Sequence, residues 1–80
     1  MATTDWTEVD GTLTRQFELA NFVDAFGFVT QVALLAQRLD HHPDIAISCN
    51  KVTITTTSHD AGNSITDRDH KLVAAIEKLG

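Results

Sequence analysis

Two stretches of this chain repeat apolar residues at helical spacing, and two others alternate them as strands do. The longer helical pattern runs from Asn21 to Leu39 and carries a stripe of Phe22, Ala25, Phe26, Val29, Val32, Ala33, Ala36 and Leu39. The shorter begins after Thr66 and carries Leu72, Val73, Ile76 and Leu79. These spacings predict two amphipathic helices, each turning one stripe towards a core.

Both predicted helices begin with a capping signal. Asn21 is followed three residues later by Asp24, and Thr66 is followed at the same distance by Asp69. In a capping box, the first side chain accepts a hydrogen bond from the helix backbone and the acidic partner reaches back to it. We therefore expect the helices to start at these two positions.

The first predicted helix is apolar around much of its circumference. Three large apolar residues fall largely outside its core stripe, namely Phe28, Leu34 and Leu35. A helix of this kind is buried on more than one side. The chain has 80 residues and one cysteine, so it has a small core and no intrachain disulfide. We therefore expect a homodimer or homotetramer, in which another subunit covers this helix.

The first alternating stretch, residues 5–19, predicts a β-hairpin. Asp10-Gly11 is a strong turn signal. Pairing Val9 with Leu13 requires a three-residue loop, whereas pairing Val9 with Thr12 requires two residues. The sequence leaves both registers open.

The second alternating stretch, residues 44–58, predicts another hairpin. Its apolar side chains are Ile45, Ile47, Cys49, Val52 and Ile54. A two-residue turn at Asn50-Lys51 would pair Cys49 with Val52 and place all five side chains on one face. Cys49 is then a small core residue rather than a nucleophile.

The order of these elements is strand–strand–helix–strand–strand–helix along a single domain, residues 1–80. Two hairpins and two one-sided helices predict an α+β fold. We expect a four-stranded antiparallel sheet with the helices packed on one face.

Charge and composition exclude several classes of partner. The net charge is −5, and the six lysines and arginines are scattered, which argues against nucleic-acid binding. The N-terminus lacks the pattern of a signal peptide. No apolar run approaches the roughly 20 residues of a membrane span. We therefore expect a cytoplasmic protein that binds neither nucleic acid nor membrane.

An unusual histidine-rich segment, residues 40–44, separates the long helix from the second hairpin. Pro43 lacks an N–H and restricts His42, so the helix should end here. His59 lies at the far end of the hairpin. If the hairpin folds back, three imidazoles meet beside the carboxylates of Asp40, Asp44 and Asp60. Such a cluster suits general acid–base catalysis near neutral pH.

The alternatives to acid–base catalysis are a metal site and a surface position. Three histidines can hold zinc, but the chain has no His-x-x-x-His spacing and no cysteine pair. Adjacent histidines such as His41 and His42 rarely both reach one ion. No motif couples a serine or the cysteine to a histidine. We therefore expect no metal and no cofactor, while a solvated position for the pair remains the simplest alternative.

The sequence resembles the pterin-4a-carbinolamine dehydratase family. The matching stretches are residues 22–33, 39–44, 50–54 and 57–62. Trp6 and the spacing of Arg15 and Phe17 also match, so the resemblance covers residues 6–79. The helix that usually precedes this tryptophan in the family is missing.

The resemblance implies a reaction and a role for each histidine. Members of the family eliminate water from 4a-hydroxytetrahydropterin to give quinonoid dihydropterin, so the pterin is a substrate. The hydroxyl needs a proton donor and a ring nitrogen needs a base, and imidazoles can serve as both. The resemblance assigns these roles to His41 and His59, and assigns pterin holding to His42. The residues expected to support or contact the substrate are Asp40, Asp44, Ser58, Asp60 and Asp69.

The chain also departs from the family pattern. Gln37 stands where many members have glutamate, and Ile45 and Cys49 replace common aromatic residues. The loop at residues 62–69 is one residue longer than usual. Some relatives bind a transcription factor or assist assembly of a carboxylase. A binding or assembly module without catalysis is therefore the alternative function, and the wide apolar helix face would suit it.

Overall fold

The computed structural model describes residues 6–79, and its architecture is the α+β sandwich expected from the sequence. The elements in chain order are β1 (Thr7–Val9), β2 (Thr12–Glu18), α1 (Phe22–Leu39), β3 (Asp44–Ser48), β4 (Lys51–Thr56), the short 3-10 helix η1 (His59–Ala61) and α2 (Asp67–Glu77). The four strands form one antiparallel sheet in the order β1-β2-β4-β3.

The core lies between one face of the sheet and both helices. Alternate residues of the central strand β4 are buried, and they are Val52, Ile54 and Thr56. The buried helical residues that complete this core are Ala25, Val32 and Ala36 from α1 and Leu72 and Ile76 from α2. Because side chains alternate along a strand, the opposite face of β4 presents its other threonines.

The first hairpin adopts the shorter of the two registers that the sequence allows. Val9 pairs with Thr12, so Asp10 and Gly11 form a two-residue loop. Both loop residues have positive φ, as the favoured hairpin turn requires. Trp6 is half-buried just before β1, and its ring packs edge-on against Phe17 with 5.9 Å between centroids.

The predicted register of the second hairpin was wrong. Ser48 pairs with Lys51 and Ile47 with Val52, so the turn consists of Cys49 and Asn50. The face shared by the isoleucines and Val52 survives this change, because a shift of two residues preserves parity. Cys49, however, has a φ of 54° and is exposed, so it is not a core residue.

Helix α1 turns only part of the expected stripe to the core, namely Ala25, Val29, Val32 and Ala36. Phe28 and Leu35 pack on the core, although the pattern had placed them outside it. Phe22 and Phe26 are exposed by 56% and 59%, although the pattern had placed them inside. The core side of α1 is therefore centred on Ala25, Val32 and Ala36, with Phe28 and Leu35 on one flank, while Phe22 and Phe26 lie at the edge of the expected stripe that faces solvent.

Within residues 6–79, α1 is also the one helix long and apolar enough to span a membrane by length and composition, with a mean hydropathy of 1.2. Its buried residues pack with β4 and α2 in the core cluster. A core helix can meet the same criterion, although only 17% of this stretch is buried within the structure.

Both helices begin directly after the N-cap residues that the sequence predicted, Asn21 for α1 and Thr66 for α2. The Oδ1 atom of Asn21 accepts a hydrogen bond from the backbone N–H of Asp24 at 2.8 Å. At α2, Thr66 and Asp69 form a full capping box, with the backbone N–H of Thr66 donating to Asp69 Oδ2 at 2.9 Å. The second box fixes where α2 begins and also carries a carboxylate into the interior.

Candidate active site

The end of α1 directs His41 inward. Asp40, the C-terminal cap, has a left-handed backbone with φ of 54° and ψ of 41°. This turn allows the N–H of His41 to donate to the carbonyl of Ala36 at 3.1 Å, which closes the last turn of the helix. The His41 side chain is consequently buried, with 8% of its surface exposed.

His41 meets the buried carboxylate of Asp69, which is fully inaccessible to solvent. Its Nε2 atom lies 2.7 Å from Oδ1 of Asp69. The hydroxyl of Thr56 donates to the same oxygen at 2.6 Å. The other oxygen, Oδ2, accepts from the Ser58 hydroxyl at 2.8 Å and from the Thr66 backbone N–H at 2.9 Å. Four donors therefore surround one carboxylate, and we call this group the Asp69 network.

The network holds Asp69 in its ionised form. Burial by itself raises the pKa of this carboxyl, because a charge loses its hydration in the interior. The hydrogen bonds from Thr56, His41, the Thr66 backbone and Ser58 outweigh that effect, so the pKa lies well below its usual value. An ionised carboxylate can only accept hydrogen bonds.

The ionised state of Asp69 fixes the direction of the neighbouring hydrogen bonds. Since Asp69 only accepts, Nε2 of His41 must carry a proton, which leaves Nδ1 as the atom that can gain or lose one. Ser58 also donates its proton to Asp69. The 2.7 Å contact between the hydroxyls of Ser58 and Thr66 must then be donated by Thr66. The interior thus holds His41 in a single tautomer when it is neutral.

His42 follows directly but remains exposed. Its Nε2 atom lies 3.0 Å from Oε1 of Gln37, one turn back on α1. An amide oxygen accepts, so Nε2 donates and Nδ1 is left available. Gln37 is therefore the hydrogen-bond partner of His42.

His59 lies in the loop after β4 and is also exposed. Its Nδ1 atom is 2.8 Å from Oδ1 of Asn63, which leaves Nε2 available. The loop is closed by a β-bridge between Ser58 and Ser64. Asn63 reaches back to the histidine because its φ is 58°, in the left-handed region that asparagine tolerates.

Asp60 ties the His59 loop to α2. Its two carboxylate oxygens accept hydrogen bonds from Arg68 at 2.6 and 3.0 Å. The hydrogen bond to Arg68 lowers the pKa of Asp60. This ion pair therefore fixes the His59 loop to the first turn of α2.

The turn of the first hairpin packs against the same loop. The carbonyl of Gly11 accepts a hydrogen bond from Thr57 at 2.7 Å. A Cβ atom at Gly11 would lie only 2.0 Å from the carbonyl oxygen of Asn63. Only glycine allows this approach.

The structure brings some of the expected site residues together and separates others. His41, Ser58 and Asp69 meet in the Asp69 network, where Ser58 and Asp69 are both buried. Asp40 and Asp60 are exposed at the helix end and in the His59 loop. Asp44 pairs with Thr55 on the outer face of the sheet, away from the network.

Three residues of the site were not anticipated as such. Thr56 and Thr66 complete the Asp69 network, while Asn63 holds the exposed His59. Gln37 had been singled out from the resemblance, but its bond to His42 had not been predicted. The parity of β4 could have identified Thr56, because it follows Val52 and Ile54 on the buried face. No local pattern marks Asn63, whose role depends on the turn of its loop.

No three side chains of His, Cys, Asp or Glu within residues 6–79 come together in a way that could hold a metal ion. His42 and His59 instead bind amide oxygens, and His41 binds a carboxylate. The arrangement therefore offers one buried and two exposed imidazoles, each with one ring nitrogen committed and the other available for proton transfer.

The sequence matches a model of the family described as pterin 4 alpha carbinolamine dehydratase over residues 1–79. A relative from Prochlorococcus marinus (strain MIT 9303) is 50% identical over 74 residues, 92% of this chain and 76% of the relative. One from Chloroflexus aurantiacus is 47% identical over 75 residues, 94% of this chain and 80% of the relative. Both are provisionally named pterin-4-alpha-carbinolamine dehydratases.

Two solved structures share the fold. A transcriptional coactivator/pterin dehydratase from Brucella melitensis is 36% identical, with a TM-score of 0.87 over 95% of this chain and 82% of its own. A pterin dehydratase-like RuBisCO assembly factor of the alpha-carboxysome is 17% identical, with a TM-score of 0.74 over 92% and 84%. The second likeness concerns the fold alone. From the family match and the identities, this chain belongs to the pterin-4a-carbinolamine dehydratase family.

Proposed function

We propose that this protein eliminates water from 4a-hydroxytetrahydropterin and releases quinonoid dihydropterin. The observation that carries the proposal is the pairing of His41 with Asp69 inside the core, 2.7 Å apart. Burying a charged carboxylate costs free energy of folding, even when four donors surround it. Such buried charges beside an imidazole are typical of functional sites. Family membership supplies the reaction to which that task belongs.

The chemistry requires two proton transfers. The 4a-hydroxyl leaves as water after it gains a proton, and a ring nitrogen of the pterin loses one, so no net proton is consumed. We assign these transfers to His41, through Nδ1, and to His59, through Nε2, because these are the nitrogens that remain available. General acid–base catalysis by positioned groups accelerates reactions by about 10²–10⁴-fold.

His42 holds the pterin in this proposal. It is exposed at the end of α1, and Gln37 fixes its Nε2 atom as a donor. Its Nδ1 atom is then free to accept a hydrogen bond from a pterin N–H. Asp40 and Asp60 are exposed carboxylates that can contact the polar edge of the substrate, whereas Ser58 and Asp69 act from the interior. Asp44, on the outer face of the sheet, is given no contact in this proposal.

The proposed reaction needs no metal and no cofactor, since the three imidazoles supply both the acid and the base. We place the protein in the cytoplasm.

We further propose that the protein is a homodimer or homotetramer. The outer face of α1, defined by Phe22, Val23, Phe26 and Leu34, exposes between 56% and 76% of each of these side chains. The rings of the two phenylalanines stack with 6.3 Å between centroids. Burying this face against the same face of a second copy would remove a continuous apolar strip from water.

The same exposed face of α1 is compatible with a second function, the binding or assembly of another protein. A binding or assembly module would use the outer face of α1 for a different protein. The RuBisCO assembly factor shares this fold and so illustrates that the fold serves such roles. The Asp69 network favours catalysis, because a binding role for α1 makes no use of a buried histidine.

The test is the dehydration rate of synthetic 4a-hydroxytetrahydropterin, followed by absorbance, with wild type and His59→Ala. We expect wild type to accelerate the reaction and the variant to lose about a hundredfold of that acceleration. His70→Ala is the matched control, because His70 is an exposed histidine on α2. A folded wild-type protein that gives no acceleration would contradict the proposal and direct attention to the assembly function.

A further inference from the structure

A groove lies between the second halves of α1 and α2, apart from the candidate active site. Its volume is about 490 Å³. The floor is apolar and consists of Leu35, Leu39, Ala74, Ala75 and Leu79. Leu39 and Leu79 are still exposed by 38% and 36%. None of the residues Phe22, Phe26 and Leu34 lines the groove, and Leu34 lies one turn before the rim residue Arg38.

The rim of this groove is positively charged. Arg38 borders it from α1, and Lys71 and Lys78 border it from α2. Within residues 6–79, none of the three forms an ion pair, whereas Arg15 and Arg68 do. No acidic side chain of the described residues lines the groove. Half of the chain's six cations therefore surround one apolar strip in a protein with a net charge of −5.

We propose that this groove binds an acidic amphipathic helix of a partner protein. Two packed helices leave a channel into which the ridge of a third can fit. Ala74 and Ala75 are small enough to let a third backbone approach. Lys71 and Lys78 are seven residues apart, so their side chains emerge about 10 Å apart along α2. Acidic residues two turns apart on the incoming helix would match them.

Charge decides against the other occupants. A second copy bound symmetrically would place three cations opposite three cations, which is unfavourable in an interface. An anionic membrane surface would attract the rim but repel a chain whose overall charge is −5. An acidic helix satisfies the rim and buries the apolar floor at once.

The experiment measures binding of a synthetic helical peptide by fluorescence anisotropy. The peptide is about three turns long, with leucines along one face and glutamates flanking them. We expect saturable binding that weakens as the salt concentration rises, because the rim charges are exposed. A control peptide with lysines in place of the glutamates should not bind. Equal binding of the two peptides would overturn the proposal.

Variants of the protein locate the contact. Neutralising Lys71→Gln and Lys78→Gln together should weaken binding about fivefold. Ala74→Glu should weaken it more than tenfold, because it places a bulky like charge on the floor. Lys51→Gln, on β4 outside the groove, is the matched control and should stay within about twofold of wild type. Circular dichroism of each variant checks that the fold is intact.

Other occupants would be recognised by different results. An apolar fluorescent dye that binds the wild-type protein but not Ala74→Glu would report on the groove. If the peptide fails to bind and decanoate displaces this dye, the groove binds a small amphipathic anion and the proposal is overturned. If the Ala74→Glu variant sediments as a smaller species than the wild-type oligomer, the groove is a contact between copies of this chain. That result would also overturn the proposal.

Discussion

His41 and Asp69 lie 28 residues apart in the sequence, yet Nε2 of one is 2.7 Å from Oδ1 of the other inside the core. The contact joins the end of α1 to the first turn of α2. It requires the left-handed turn at Asp40 on one side and the capping box at Thr66 on the other. One interaction therefore connects the termination of the first helix, the start of the second and the tautomer of a candidate catalytic group.

Replacing Asp69 by asparagine tests this connection. Asp69→Asn keeps the volume but presents an N–H₂ group to donors, so we expect about 3 kcal/mol lower free energy of unfolding. We also expect kcat to fall by about a hundredfold with little change in KM, because His41 loses its fixed tautomer. Asp67→Asn, exposed on the same turn of α2, should leave kcat unchanged. An equal fall of kcat in both variants would refute the assignment.

The stability of the protein should depend on pH through Asp69. Its pKa in the folded state is below the usual value of about 3.9, so folding favours the ionised form. The stabilisation is therefore complete above about pH 5 and declines as the pH falls below about 4. The difference in unfolding free energy between wild type and Asp69→Asn, measured by urea titration, should shrink over that acidic range. A difference that is constant down to pH 2 would contradict this account.

The hydroxyl of Thr56 should contribute measurably to the Asp69 network. Thr56→Val removes one donor from the carboxylate while keeping the shape of the side chain. We expect a loss of about 1.5–3 kcal/mol in the free energy of unfolding, the range for hydrogen bonds to charged groups. Thr53→Val on the outer face of the same strand is the control and should change stability by less than about 0.5 kcal/mol.

Asn63 should control the tautomer of His59. Asn63→Gly deletes the acceptor but tolerates the positive φ at that position. We expect the ¹⁵N chemical shifts of His59 to change from a single tautomer, protonated at Nδ1, to a mixture, and the dehydration rate to fall about tenfold. Asn63→Asp retains an acceptor oxygen and should retain the tautomer. An unchanged ¹⁵N spectrum in the glycine variant would show that the loop holds His59 by other means.

The outer face of α1 should mediate self-association. Phe26→Glu places a charge among exposed apolar side chains, so we expect sedimentation velocity to show a smaller species than wild type at micromolar concentration. Gln31→Glu introduces the same side chain elsewhere on α1 and should not change the oligomer. A monomeric wild-type protein under these conditions would contradict the proposed dimer or tetramer.

The sequence predicted those features that depend on local rules. The capping box of Thr66 and Asp69 follows from a spacing of three residues, and the structure shows both of its hydrogen bonds. The buried face of β4 follows from the alternation of Val52 and Ile54. The four-stranded antiparallel sheet and the one-sided helices follow from two hairpins, each followed by an amphipathic pattern, whereas the pairing of β2 with β4 was not predicted.

What the sequence did not predict depends on contacts between distant segments. In the second hairpin Ser48 pairs with Lys51, so the turn begins at Cys49. An alternating pattern could not predict this, because registers that differ by two residues place the same side chains on each face. Which large side chains of α1 pack on the core, Phe28 and Leu35 rather than Phe22 and Phe26, also depends on how the helix packs in the fold. The resemblance named Asp69 as a supporting carboxylate, but its pairing with His41 was not predicted, because Asp69 acts from another helix.

The contact of Gly11 with Asn63 has an evolutionary consequence. The turn between β1 and β2 and the loop that carries His59 have no room to change independently, since any side chain at Gly11 would collide with the Asn63 carbonyl. Insertions or substitutions in one segment should therefore be accompanied by compensating changes in the other. A change in the backbone of the loop that carries His59 would therefore require a redesign of the turn at Gly11, about fifty positions earlier in the sequence.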